Sequence, residues 1–151
     1  MPADGQTLTE LAREGKRHWG YPEPWLEAWR DTLAVTPEYI ESNDVLCCEE
    51  TGQTIGFIAF TRADSQPWLD HFWLRMSLIG TGRGAQLFRL AVRHLRGLGV
   101  ERLMIESDPN AEGFYLHMGC RRVGSSVSRL TGMERVLPVL SYDVATPPAA
   151  E

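Results

Sequence analysis

The sequence has few cysteines, no metal-ligand pattern among its histidines and no long apolar run. Cys47 and Cys48 are adjacent and Cys120 stands alone, which makes a poor disulfide framework. The scattered histidines lack metal-ligand spacing, so we expect no metal. No apolar stretch approaches the roughly 18 residues of a membrane span, and residues 1–5 lack the order of a signal peptide. These absences predict a reduced, cytoplasmic protein that contacts no membrane.

Lysine is almost absent, because Lys16 is the single lysine among 15 basic residues. The net charge of −5 shows no nucleic-acid footprint, so we expect no nucleic-acid partner. The charge is nevertheless uneven along the chain. Residues 1–70 hold 13 acidic and 5 basic residues, whereas residues 71–151 hold 7 acidic and 10 basic ones.

The length and composition predict one domain. A chain of 151 residues with 43% apolar residues is long enough to bury one sizeable core. No linker or internal repeat divides it. We expect a helical segment over residues 1–44, a sheet-containing core over 45–145 and a frayed tail over 146–151.

The first half of the chain changes its hydrophobic period part-way. A first helix is predicted to end near His18, and Pro24 suits the first turn of a second helix. The period then becomes that of strands over 45–48 and 54–60, which turn residues join into a hairpin. A third strand is predicted over 68–74.

The second half alternates helices and strands. Helical spacing of apolar residues predicts a helix over 82–98, and a short apolar strand follows at 102–105. A helix over 109–118 and two strands over 122–127 and 136–144 complete the order. Antiparallel hairpins combined with one β-α-β unit predict an α+β (mixed α/β) fold with a mostly antiparallel twisted sheet between helices.

The third strand carries a carboxylate within an aromatic stretch. A period of two places Leu69, His71 and Trp73 on one face, and it places Asp70, Phe72 and Leu74 on the other. A mid-strand carboxylate is costly unless it is solvated or used. Asp70 is therefore a candidate functional residue.

A glycine-rich loop, Ile79-Gly80-Thr81-Gly82-Arg83-Gly84-Ala85, links this strand to the amphipathic helix. Glycines allow positive φ and close backbone approach, and a helix N-terminus attracts anions, so the loop suits a pyrophosphate. The alternative is a plain strand-to-helix connection. Gly80-x-Gly82-x-x-Ala85 also fits a nicotinamide dinucleotide fingerprint, with Glu106 at a plausible ribose distance, but an antiparallel hairpin precedes it instead of an early βαβ strand.

Two spaced motifs resemble the GNAT N-acetyltransferase superfamily over about residues 45–145. The family's pyrophosphate loop, Gln/Arg-x-x-Gly-x-Gly/Ala, corresponds to Ile79-x-x-Gly82-x-Gly84. Its later Asn…Phe-Tyr-x-x-x-Gly-Phe signature corresponds to Asn110, Phe114, Tyr115 and Gly119. This sequence departs from the pattern in the apolar Ile79, in Cys120 where the family has Phe, and in the first strand, which we expect to be absent.

The resemblance implies an acetyl-CoA-dependent N-acetyltransferase in which a primary amine attacks the thioester directly. The coenzyme, a co-substrate used without a metal, would be bound by Trp73 and Leu74 through their backbone, by the loop residues Ile79, Gly80, Thr81, Gly82, Arg83, Gly84 and Ala85, by Asn110 and by Tyr115. Tyr115 would donate a proton to the sulfur. Asp70 is the first candidate for the base, and His71 is its rival.

The acceptor side is less defined by sequence. Trp19, Tyr21 and Trp25 surround the break between the first two helices, where they either line an acceptor pocket or simply pack the helices. We expect Trp19, Tyr21 and His71 to bind the acceptor, a small-molecule amine or a peptide. The acidic first half favours a small, basic acceptor. The alternative function is a non-catalytic GNAT-like acyl-CoA-binding module, and an uncovered sheet edge allows a homodimer.

Overall fold

A computed structural model describes residues 5–18, 21–61, 66–78, 80–130 and 133–145. Three of the sequence predictions lie outside these residues: Trp19, Ile79 and the tail over 146–151. The described part begins with four helices, α1 (Gly5–His18), α2 (Glu23–Ala28), α3 (Arg30–Leu33) and α4 (Pro37–Ser42). The single second helix predicted from Pro24 is therefore two short helices that are interrupted at Trp29.

A six-stranded sheet follows the four helices. Its strands are β1 (Asp44–Glu50), β2 (Gln53–Phe60), β3 (Trp68–Leu74), β4 (Arg102–Glu106), β5 (Arg121–Leu130) and β6 (Met133–Asp143), in the spatial order β1-β2-β3-β4-β6-β5. Helix α5 (Arg83–Gly97) connects β3 to β4, and α6 (Glu112–His117) precedes β5. Among the described strands, only β3 and β4 pair in parallel, and the mostly antiparallel sheet with its flanking helices confirms the predicted α+β class. None of the described helices has the length and apolarity to span a membrane.

The two hairpins of the sheet differ in how well their sequences predict them. Thr51 (φ 49°) and Gly52 (φ 79°) both have positive φ, as expected for the two central residues of a type I′ turn. The second hairpin, β5–β6, is longer than its sequence pattern indicated. Its pairing continues to Leu130 and Met133, where polar and charged residues hide the alternation.

The side chains of β3 do not alternate as the sequence predicted. Phe60 pairs with Leu69 and Ala59 pairs with His71, so Asp70 is an extra residue in the ladder. A bulge of this kind shifts the facing of the residues before it by one position. The predicted faces are therefore wrong at two positions: Leu69 packs on the same side as Phe72, and Asp70 lies beside His71.

Each face of the sheet covers its own apolar core. On one face, α5 and α6 pack against β2 and β4, with Phe88, Leu95, Ile58, Leu103 and Ile105 at the centre. On the other face, α1, α2 and α3 pack against β1 and β2 around Leu8, Leu11, Leu26, Trp29 and Phe57. The amphipathic pattern of α1, with Leu8, Leu11, Ala12 and Gly15 buried, accounts for its docking on this second face.

Strands β3 and β4 separate soon after they meet. They pair at Trp68 with Met104 and at Leu69 with Ile105, and the rest of β3 has no partner on β4. This leaves an opening between the two strands. Helix α1 lies against the opening, because Gly15 is so close to the Trp73 ring that an added Cβ would overlap it.

We expect Gly15→Ala to destabilise the protein, because its methyl group would displace the half-buried Trp73 ring or α1. Overpacking of this kind typically costs about 1–3 kcal/mol. Gly97→Ala is the matched control, because Gly97 is also helical and an added Cβ meets nothing within 4 Å. Urea unfolding midpoints measure both; equal stability of the two variants would contradict the close contact.

Candidate functional site

The glycine loop presents backbone N–H groups at the start of α5. Gly80 (φ 85°) and Gly82 (φ 88°) both occupy the left-handed region, and the space beside each is open. The glycines are therefore required for backbone conformation rather than for room. Gly82 precedes the helix, no side chain caps it, and the first turn holds no acidic residue. This combination suits a bound phosphate group.

Two side chains of the loop already have partners. The Arg83 Nε donates to Glu50 Oε2 at 2.6 Å, and this hydrogen bond holds the pKa of Glu50 below its ordinary value. The Thr81 hydroxyl donates to the Leu78 carbonyl. Arg83 is thus held at the end of the first hairpin. The Thr81 N–H is bonded to the Leu78 carbonyl, so the N–H groups that can meet a ligand are those around Gly82, Arg83 and Gly84.

Tyr115 lies on the α5 face of the opening. Its ring is 5.4 Å from the Phe114 centroid and 6.3 Å from that of Phe72, and burial raises its pKa well above the ordinary value. The phenol therefore carries its proton at physiological pH. Cys120 is also buried, which raises its thiol pKa to about 12, so it offers no thiolate nucleophile.

Asp70 lies on the opposite, α1 face of the opening. The Tyr39 hydroxyl donates to Asp70 Oδ2, and burial together with this carboxylate keeps the pKa of Tyr39 far above its ordinary value. Tyr39 is therefore a permanent donor that orients the carboxylate. The Asp70 side chain is 41% exposed, so an incoming molecule can reach it.

His71 is buried beside Asp70, and its basic nitrogen is occupied. The Trp73 indole Nε1 donates to His71 Nδ1 at 3.0 Å, which assigns the proton of the neutral ring to Nε2. That nitrogen is 3.9 Å from Asp70 Oδ2. Burial lowers the pKa of His71 although Asp70 opposes this effect. The neutral imidazole therefore has no free lone pair with which to accept a proton.

A cluster of polar side chains, which we call the Asp108 cluster, joins α1, the loop before α2, the segment after β4, and β6. It consists of Lys16, Tyr21, Asp108, Asn110 and Arg135. Asp108 Oδ2 accepts from Lys16 Nζ at 3.0 Å and from the Tyr21 hydroxyl at 2.8 Å, and Arg135 Nη2 is 3.5 Å away. Arg135 Nη2 also donates to the Tyr21 oxygen at 2.7 Å. Asn110 Nδ2 donates to Tyr21 and to Asp108 Oδ1.

Three aromatic rings support this cluster. Tyr21 stacks on Trp25 at 5.6 Å and contacts Trp29 edge-on at 5.0 Å. Lys16 Nζ lies 4.1 Å from the Trp29 ring centroid, and Arg135 Cζ lies 5.3 Å from it, which are cation–π distances. Tyr21 and Trp25 are therefore in contact, which both sequence alternatives, an acceptor pocket and simple helix packing, expect.

The site residues predicted from the sequence lie in two separate places, the β3–β4 opening and the Asp108 cluster. Tyr115 and Asp70 flank the opening, whereas the contacts of Asn110 are with Tyr21 and Asp108. Sequence reasoning missed Tyr39, Lys16, Asp108 and Arg135 as site residues. No spacing rule connects them, because they come from α4, α1, the segment after β4, and β6. The presence of one lysine, Lys16, among fourteen arginines is the sequence feature that could have pointed to this cluster.

Comparison with known families decides between the interpretations of the glycine loop. The family model described as "Acetyltransferase (GNAT) domain" matches residues 8–134. The chain belongs to the GNAT acetyltransferase family. The nicotinamide interpretation is therefore set aside, in agreement with the mostly antiparallel sheet, in which β3–β4 is the one parallel pair within the part of the chain that the structure describes. No protein of curated function matches the sequence significantly.

Solved GNAT structures share this fold at low sequence identity. A GCN5-related N-acetyltransferase (aminotransferase, class II) from Rhodopseudomonas palustris has a TM-score of 0.80 at 16% identity, covering 95% of this chain and 91% of that one. The PaiA N-acetyltransferase of Thermoplasma acidophilum, in complex with coenzyme A, has a TM-score of 0.70 at 20% identity, covering 94% of each chain. An aminoglycoside 6′-N-acetyltransferase complexed with coenzyme A has a TM-score of 0.72 at 12% identity, covering 99% of this chain and 95% of that one.

We expect Gly82→Ala to weaken acetyl-CoA binding several-fold, because a Cβ disfavours the left-handed conformation by about 1–2 kcal/mol and reorients the loop N–H groups. Gly99→Ala is the control. Gly99 also has positive φ (79°) and open space around it, but it follows the other end of α5. Calorimetric titration measures both variants; a matching loss of affinity in Gly99→Ala would show that the loop itself has no special role.

Proposed function

We propose that this chain, an acetyl-CoA-dependent N-acetyltransferase of the GNAT family, acetylates a primary amine of a small acceptor by direct attack within a ternary complex. The observation that carries the proposal is the placement of Tyr115 and Asp70 on opposite faces of the β3–β4 opening. A proton donor and a proton acceptor on either side of one cleft are what amine acetylation requires.

We propose that the residues of the glycine loop hold the coenzyme. The N–H groups around Gly82, Arg83 and Gly84 suit its pyrophosphate. The edge of β3 beyond Leu69 suits an extended amide-containing arm through the backbone of Phe72 and Leu74, which has no ladder partner on β4. Trp73 lies opposite Phe57, in phase with the hydrogen bond from Arg75 to Ile55, so its backbone groups are directed to β2. The coenzyme supplies an activated acetyl thioester.

The proposed acid is Tyr115. When the amine nitrogen forms its bond to the acetyl carbon and the carbon–sulfur bond breaks, the departing thiolate needs a proton. Burial keeps the Tyr115 phenol protonated, and its hydroxyl has no hydrogen-bond partner among the described residues, so no competing contact must be broken. The hydroxyl is therefore available to the sulfur.

The proposed base is Asp70, acting directly or through water. Its carboxylate is exposed enough to meet an ammonium group and is oriented by Tyr39. His71 is buried next to Asp70, and its Nδ1 accepts a hydrogen bond from the Trp73 indole, so this nitrogen cannot accept a proton from the amine. We therefore assign His71 a role in shaping the acceptor side of the opening and not in accepting the proton.

We expect Tyr115→Phe to lower kcat by about 100-fold, within the range typical of a lost general acid, while leaving acetyl-CoA affinity nearly unchanged. Tyr142→Phe provides the control, because Tyr142 packs on Phe88 at the same face without a proposed proton role. Thioester consumption and calorimetry are measured side by side. An unchanged kcat in Tyr115→Phe would remove this residue from the mechanism.

We expect Asp70→Asn to reduce kcat/KM about 100-fold at neutral pH, because an amide cannot accept the amine proton. Tyr39→Phe should give a smaller, several-fold loss of kcat, because the carboxylate remains but loses its orienting donor. Added small carboxylates such as acetate should partly restore Asp70→Asn and leave Tyr39→Phe unaffected. Full activity of Asp70→Asn would refute the assignment of Asp70 as the base.

A further inference from the structure

The Asp108 cluster holds more positive than negative charge. Among the described residues, the charged groups that bear on it are Lys16, Arg135 and Asp108. Their side chains are 13%, 12% and 13% exposed, so water screens them little. Two cations against one carboxylate leave one positive charge without a partner, and an uncompensated charge at such depth is costly.

The charge states in the cluster agree with this surplus. Burial opposes ionisation of Asp108, but Lys16 and the hydrogen bonds from Asn110 and Tyr21 hold its pKa below the ordinary value. Asp108 is therefore a carboxylate. Burial lowers the pKa of Lys16, and Arg135 lowers it further while Asp108 opposes both. The two cations thus disfavour each other, and an additional anion would relieve this repulsion.

The donors in the cluster are not exhausted by Asp108 and Tyr21. Arg135 makes both of its polar contacts within the described residues through Nη2, and Lys16 makes one with its three-donor ammonium group. The one fully buried side-chain nitrogen or oxygen without a partner, among the described residues, is Arg96 Nη2. Nε and Nη1 of Arg135 have no partner among the described residues and are not buried in this sense, so they can meet an incoming group.

The aromatic faces beside the cluster are already used by the protein's own cations. Lys16 lies over Tyr21 and Trp29, and Arg135 lies over the same two rings and Trp25. A cationic group would therefore meet occupied faces and like charge. An anionic group attached to an apolar body would instead find donors and ring edges.

A continuous row of contacts connects the cluster to the proposed base. Asp70 Oδ2 lies 3.9 Å from His71 Nε2, and His71 accepts from Trp73. The Trp73 ring packs against Gly15 of α1, which precedes Lys16 in the chain. Asp70 and Lys16 are thus the two ends of one row on the acceptor face, with a carboxylate at one end and surplus positive charge at the other.

We propose that the Asp108 cluster is a subsite for a carboxylate carried by the acceptor, with Arg135 and Lys16 as its ligands. This inference rests on the proposed function, because it names the acceptor class: an amine that also bears a carboxylate, as amino acids do. The amine end faces Asp70, and the carboxylate end faces Arg135 and Lys16. One surplus charge matches a single carboxylate better than a doubly charged phosphate.

The test titrates the intact protein with phenylacetate and with its neutral isostere phenylacetamide, using the fluorescence of the tryptophans. We expect phenylacetate to bind at millimolar concentration and phenylacetamide to bind at least tenfold more weakly, because charge-assisted hydrogen bonds are the strong ones. Equal binding of the two probes, or binding of neither, would overturn the subsite.

Two variants locate the effect in the cluster. Arg135→Gln should weaken phenylacetate binding about tenfold or more, whereas Arg129→Gln should not change it, because Arg129 lies on the same hairpin but is 79% exposed and paired with Glu134. Lys16→Gln should give a similar loss and serves if Arg135→Gln fails to fold. An equal loss in Arg129→Gln would point to general surface charge and refute the subsite.

A kinetic comparison separates this inference from the proposed function. Phenylalanine and phenylalaninamide are compared as acceptors, and we expect Arg135→Gln to raise KM for the first only. If no amine is acetylated while phenylacetate still binds in an Arg135-dependent manner, the proposed catalysis fails and the subsite stands. If amines are acetylated but phenylacetate and phenylacetamide bind alike, the subsite fails and the catalysis stands.

Discussion

The whole site depends on one constraint, which is that β3 and β4 stop pairing after two residue pairs. Parallel strands that continued side by side would satisfy each other's backbone groups and close the sheet. Here the bulge at Asp70 lies at the point of separation, where a bulged strand bends. On its other edge β4 stays paired with β6, and the hydrogen bond from the Ser107 N–H to the Pro138 carbonyl continues that pairing. The sheet therefore contains a cleft between β3 and β4, and the two faces of the sheet present different side chains to it.

The two faces of the cleft differ in chemistry because two separate helical layers supply them. Helices α5 and α6 bring aromatic rings, and the apolar environment keeps Tyr115 protonated. Helix α1, the loop after it and α4 bring Lys16, Tyr21 and Tyr39, which hydrogen-bond to the carboxylates Asp108 and Asp70. The face with the neutral proton donor suits the leaving group. The face with charged, hydrogen-bonded groups suits the acceptor.

Features that depend on local sequence pattern were predictable from the sequence. Features that depend on residues meeting through tertiary packing were not. The hairpin at Thr51-Gly52 and the amphipathic helix after the glycine loop follow from turn chemistry and from helical spacing, and both were confirmed. The facing of Asp70 and Leu69 was predicted wrongly, because a bulge leaves no trace in a period of two. The Asp108 cluster was not predictable, because Lys16 and Arg135 are far apart in the chain and meet through tertiary packing. The acidic first half suggested a basic acceptor, yet it contributes Lys16 to a cluster with two cations and one carboxylate.

The near-absence of lysine has a chemical consequence for an enzyme that handles thioesters. A deprotonated ε-amine is itself a nucleophile toward an activated acetyl group, whereas a guanidinium stays protonated and inert at any ordinary pH. Fourteen of the 15 basic residues are arginines, and the one lysine is bound to Asp108 in the interior. The surface of this protein therefore offers no lysine amine that could compete with the acceptor for acetyl groups or become acetylated by the free donor.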